Sequence, residues 1–128
     1  MAGSSFSIAT PAASLTTSVT KDTASTNSAV ALKASAAVLH GMICDNTEGS
    51  GTVYPQLFDL AAPTLGTDVP ELWFKVPAGK VIGLLLRNMT TDSGVANFGT
   101  ALSMATTTAP GNNTAPSGTK PTVRVFFT

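Results

Sequence analysis

Of the side chains capable of acid–base, nucleophilic or metal chemistry, the 128-residue chain carries one histidine, His40, one cysteine, Cys44, and seven carboxylates. His40 and Cys44 are four positions apart, so on a strand they face the same side about 13 Å from one another. That separation is too long for an imidazole to activate the thiol or for the two to share a zinc ion. Their types suit a histidine at the margin of a packed face and a small buried thiol. Asp45, Glu48, Asp59, Asp68, Glu71 and Asp92 are dispersed, most of them close to glycine or proline in expected turns, where carboxylates accept hydrogen bonds from backbone amides. No spacing among them selects the facing pair of a glycosidase, and Asp45-Asn46-Thr47-Glu48-Gly49 lacks the alternating ligands of an EF-hand loop. The residues therefore assign no catalytic, cofactor-binding or metal-ligating role, and the chain is expected not to be an enzyme.

Aromatic contact is the remaining chemistry. Segment 71–76, ELWFKV, alternates so that Leu72, Phe74 and Val76 share one face while Glu71, Trp73 and Lys75 share the other, the period of a half-buried strand. Trp73 on the polar face has three readings. It can anchor a contact between subunits, because a large rigid ring gains contact area at little entropic cost; it can stack on a sugar, with Tyr54 as a second platform; or it can lie under a long loop of the same chain. Phe126 and Phe127 raise a related question, since neighbours on a strand point to opposite faces. Trp73, Tyr54, Phe126 and Phe127 are the candidate interface residues.

Strands must position these side chains. Residues 53–80 are the stretch densest in large apolar side chains and turn signals, with strands expected at 53–60 and 71–76 and a proline- and glycine-bearing crossing at 61–70. Residues 29–45 pass between helix and strand propensity and read as one strand, with Val38, His40, Met42 and Cys44 on one side and Leu39, Gly41 and Ile43 on the other. Further strands are expected at 80–89, 98–108 and 122–128, with loops at 90–94 and 109–121. Six or seven short strands without a helix give an all-β fold, an antiparallel β-sandwich or jelly-roll-like domain over residues 29–128. Residues 1–28, nearly all Ser, Thr, Ala and Gly, supply no core of their own and read as a polar extended arm able to add along a sheet edge.

Bulk charge narrows the partners. Seven basic and seven acidic residues cancel, which argues against nucleic acid, whose phosphates need clustered Lys and Arg. Charged residues are only 11% of the chain, against about 25% in an ordinary soluble domain, and so uncharged a surface favours association into a homo-oligomer. No apolar run reaches the length of a membrane span, the first residues lack a secretory signal, and a lone cysteine forms no internal disulfide. Synthesis in a reducing cytoplasm and no membrane partner are the expectations.

The central stretch also carries a resemblance. Leu57-Phe58-Asp59, the run AAPTLGTDVP at 61–70 and Val76-Pro77-Ala78-Gly79, followed by Phe98-Gly99 and the terminal Val123-Arg124-Val125-Phe126-Phe127, resemble small structural proteins encoded among the virion genes of tailed bacteriophages. The resemblance spans residues 53–128 and rests on turn and strand signals. It implies a non-enzymatic β-sandwich virion component made in the host cytoplasm. Within the virion it implies a capsid decoration or cement protein that clamps neighbouring subunits, associates as a homotrimer, and has the major capsid protein or other virion proteins as partners. Tail, neck or fibre-base subunits use similar sandwiches. A carbohydrate-binding module on the virion surface is a further alternative.

Overall fold

The structure, a computed structural model, describes residues 18–85 and 96–128. Its strands are β1 (Ser18–Asp22), β2 (Val30–Lys33), β3 (Ala37–Asp45), β4 (Tyr54–Phe58), β5 (Leu72–Trp73), β6 (Val81–Leu85), β7 (Ala96–Phe98), β8 (Leu102–Thr107) and β9 (Thr122–Phe127), and the described residues contain no helix. Sheet A has the order β1-β9-β3-β6, with β7 also on β3, and sheet B the order β2-β8-β4-β5. The antiparallel pairs nest: β1 with β9, β2 with β8, β3 with β6 and β7, and β4 with β5. A ribbon of nested pairs rolled into two facing sheets is a jelly roll, so the expected antiparallel sandwich is the fold.

Between the sheets, Leu39, Met42, Cys44, Phe98, Val123, Val125 and Phe127 from sheet A meet Leu57, Leu102 and Met104 from sheet B, with Val53 and Val76 beside them. Burial of these side chains is the main stabilising term. β3 reaches this core by a device that simple alternation does not show. Its register against β9 slips between Leu39 and Gly41, a bulge that takes His40 out of the ladder and lets Leu39, Met42 and Cys44 all face inward. The expected grouping of Val38 and His40 with Met42 and Cys44 is corrected accordingly.

Three expected strands are shorter or split. Residues 29–45 form β2 in sheet B and β3 in sheet A, parted by a bend at Ala34-Ser35, and 98–108 divide at Gly99-Thr100 into the end of β7 and β8. From 71–76 only Leu72–Trp73 is a strand, with Val76 bridged separately to Val53. The arm boundary also moves. β1 lies within the segment assigned to the arm yet pairs over its whole length with Val123–Phe127 of β9, and Ser25 is buried, its N–H bonded to Pro121 O and its hydroxyl to Thr106 Oγ1. Residues 18–28 thus belong to the sandwich, while residues 1–17, the loop at 90–94 with Asp92, and the expected strand beyond Leu85 lie outside the described residues.

The central strands of sheet B, β8 and β4, are buried on both sides. Every residue of β8 is buried, as are Gln56 and Phe58 of β4, whose side chains point away from the central core. Loop residues are bonded onto this outward side. Ser103 donates to Leu60 O at 2.6 Å, Thr107 donates to Ala109 O at 2.8 Å, and Gln56 accepts from Gly111 N at 3.0 Å while its amide donates to Thr107 Oγ1. The polar residues that look misplaced in a buried strand are thereby satisfied.

Candidate functional site

The outward side of sheet A is built differently. Its register aligns Val19, Phe126, Gly41 and Leu85 in one row across four strands, Lys21, Arg124, Ile43 and Gly83 in the next, and Thr122, Asp45 and Val81 in a third. Cross-strand neighbours on one face lie close enough to form a continuous surface. Leu85 is 78% exposed, Val19 55% and Val81 51%, so apolar side chains frame this face and the charges of Lys21, Arg124 and Asp45 lie along one part of it. Phe126 is half-buried in the first row, whereas Phe127 points inward and is 5% exposed. Of the two terminal phenylalanines, only Phe126 offers an outward contact, and Phe127 is a core residue.

Trp73 and Tyr54 form a second contact surface at the edge of sheet B. Trp73 pairs with Gln56, which turns the indole outward while Leu72 and Phe74 pack on the core. The indole is 47% exposed. It meets the Tyr54 ring edge-on, with centroids 5.8 Å apart and planes at 64°. Two rings so inclined hold each other in place.

Among the described residues, the groups capable of acid–base or nucleophilic chemistry do not gather at one place. Cys44 is buried in the core, and burial, followed by the charge of Asp45, pushes its thiol up to about 12, so it is a packed thiol and not a nucleophile. His40 shares a hydrogen bond with Thr128 Oγ1 at 3.1 Å. Asp59 accepts from three successive amides, Gly99 at 3.1 Å, Thr100 at 2.7 Å and Ala101 at 3.1 Å. The Thr100 and Ala101 N–H groups, in that order, hold its carboxyl below the usual value against the opposing effect of desolvation. No group of three or more His, Cys, Asp or Glu side chains gathers among the described residues.

Asn46, which the sequence shows only as part of the turn at 45–49, is the most connected polar residue among those described. Its side-chain amide donates to Gly51 O at 2.9 Å and to Val76 O and Pro77 O at 3.2 Å, and its backbone carbonyl accepts from Gly49 and Gly79. A Cβ at Gly49 would come within 1.9 Å of its Oδ1, which explains the glycine. The Asn-x-x-Gly spacing in a turn was the available signal. A crevice beside it, of about 40 Å³, is lined by Asn46, Thr52, Thr108 and Thr119 among others, far below the roughly 300 Å³ at which small-molecule sites begin. What the described residues set out together are two contact surfaces, the outward face of sheet A and the Tyr54–Trp73 pair. No family model, curated protein or solved structure matches the chain.

Proposed function

We propose that this protein is a non-enzymatic virion structural protein, a capsid decoration or cement protein whose sheet A lies against neighbouring capsid subunits. The observation that carries this reading is the outward face of sheet A, where the apolar side chains of Val19, Phe126, Ile43, Val81 and Leu85 stand in register across four strands around Lys21, Arg124 and Asp45. Removing such area from water stabilises a contact by about 25 cal/mol per Å². The phage resemblance over residues 53–128 and the low charge of the chain support the same role, with the homotrimer drawn from the resemblance alone. Jelly rolls serve viral capsid and lectin domains alike, and a fold does not decide a role, so location is the deciding measurement. Imaging a tagged copy on the particle is expected to place it on the shell with sheet A inward. A copy found at the tail, neck or fibre base overturns the decoration role in favour of those sites. Glycan binding by the purified protein, abolished by Trp73→Ala, would overturn it in favour of a carbohydrate-binding module.

A further inference from the structure

A two-sheet fold exposes four strand edges, and an unprotected edge is a template for pairing with another chain. Three of the four are blunted here. β1 carries Lys21 and Asp22, β2 ends in Lys33 and breaks register between Ala31 and Lys33, and β5 is two residues long between Glu71 and Lys75. β6 has none of these devices. Val81-Ile82-Gly83-Leu84-Leu85 holds no charge and no proline, pairs with β3 in unbroken register, and is exposed at every position but the half-buried Leu84. Lys80 lies one residue before it. Among the described residues, no strand occupies its far side.

Gly83 sharpens this observation. Glycine inside a strand weakens it and marks a bulge or a close approach of another backbone. No bulge is present in the β3–β6 register, and the backbone at Gly83 is not left-handed. A Cβ there would meet Ile43 Cγ1 at 3.6 Å and Met42 O at 3.9 Å, ordinary contact distances. Nothing within the described part of this chain requires a glycine at the centre of β6.

We propose that β6 pairs antiparallel with β6 of a second copy of this chain about a two-fold axis at Gly83, joining two copies of sheet A into one continuous sheet. The sequence is self-complementary in that register. Val81 opposes Leu85 of the partner subunit, Ile82 opposes Leu84 of the partner subunit, and the two glycines face each other at the axis, with no like-charge pair. Isologous interfaces have this reciprocity. The inward residues Ile82 and Leu84 extend the row begun by Cys44 and Met42, so the half-covered margin of the core gains a neighbour on its open side. Such an edge contact uses the rim of sheet A, where Val81 and Leu85 also belong to the face proposed to lie on the capsid. Being two-fold, it pairs copies and does not itself build the homotrimer drawn from the resemblance, and it stands whether or not the protein is part of a virion.

The test uses two double variants of the full chain at the exposed positions 81 and 85, compared by sedimentation, with circular dichroism to confirm folding. Val81→Lys with Leu85→Lys sets like charges opposite each other twice across the axis and is expected to weaken self-association about tenfold, shifting the sedimenting mass from dimer toward monomer at concentrations between the two dissociation constants. Val81→Lys with Leu85→Glu sets opposite charges across the same pairs and is expected to restore the wild-type mass. A wild-type chain that is monomeric, or an oligomer indifferent to the Lys/Lys variant, overturns the proposal. So does a Lys/Glu variant that dissociates as readily as the Lys/Lys variant, because the antiparallel register about Gly83 predicts its rescue.

Discussion

Phe58 and Phe126 both stand on outward faces, one on sheet B and one on sheet A, and the chain surrounds them differently. Phe58 is fully buried on a side where Leu60, Ala109 and Gly111 are hydrogen-bonded down onto the sheet. Phe126 is half-buried in a row that ends in the exposed Val19 and Leu85. The two sheets share one core, so the contrast is not between a stable and an unstable half. It separates a face that its own loops finish from a face left to be finished by contact. The largest expected effect tests this directly. Phe58→Ala should cost about 3 to 5 kcal/mol in urea unfolding, the range for a buried aromatic, while Phe126→Ala should cost about 1 kcal/mol or less and weaken particle binding or self-association instead. Equal losses of stability would erase the distinction.

The next effect in size concerns strand register beside the Tyr54–Trp73 pair. Phe74 packs half-buried against the core, and Phe74→Ala should lower stability by about 2 kcal/mol. Trp73→Ala should leave the fold in place and act on association. A slip of one residue would exchange the two results, so urea unfolding and sedimentation of the pair check the alternation that both sequence and structure give.

That alternation shows which parts of the fold could be read in advance. At 71–76 the apolar and polar sets are pure, and the inward assignment of Leu72, Phe74 and Val76 agrees with their burial. In 29–45 they are not, because Ala, Ser and Gly carry little facial information, and neither the crossing between sheets at Ala34-Ser35 nor the bulge at His40 is marked by a proline. The outward face of sheet A escaped for another reason. Val19, Gly41, Leu85 and Phe126 are distant in sequence and become one row only through long-range pairing, so of these four the sequence marks only Phe126. The buried polar positions of β8 were equally hidden, since Ser103 and Thr107 are identifiable as core residues only once the loops that satisfy them are in place.

A smaller effect is expected at Gln56, which ties the 109–111 loop to sheet B. Gln56→Leu keeps the volume but deprives Gly111 N–H of its acceptor and Thr107 Oγ1 of a donor. A loss of about 1 to 2 kcal/mol should follow, together with faster hydrogen exchange at Gly111. An unchanged exchange rate would mean that this loop is held by its other contacts, and the finished character of the sheet B face would then rest on packing alone.

The subtlest test lies at Asp59, which anchors the bend where the chain leaves β7 in sheet A for β8 in sheet B. Its carboxylate accepts from Thr100, Ala101 and Gly99, and those bonds hold its pKa below the ordinary 3.8. A carboxyl depressed in the folded state contributes stability that is complete above its unfolded pKa and fades as pH falls through the folded one. Asp59→Asn retains one acceptor oxygen and loses the charge. Its melting temperature should therefore fall furthest below wild type near neutrality and converge with it toward acid, in a scan over roughly pH 2 to 7. Asp45 is also depressed, first by the Thr47 hydroxyl, so some acid dependence should survive in the variant. If the gap between the two proteins were instead the same at every pH, the bend would depend on hydrogen-bond geometry and not on charge. If no gap appeared at all, the crossing between the covered and the open sheet would not be secured at Asp59.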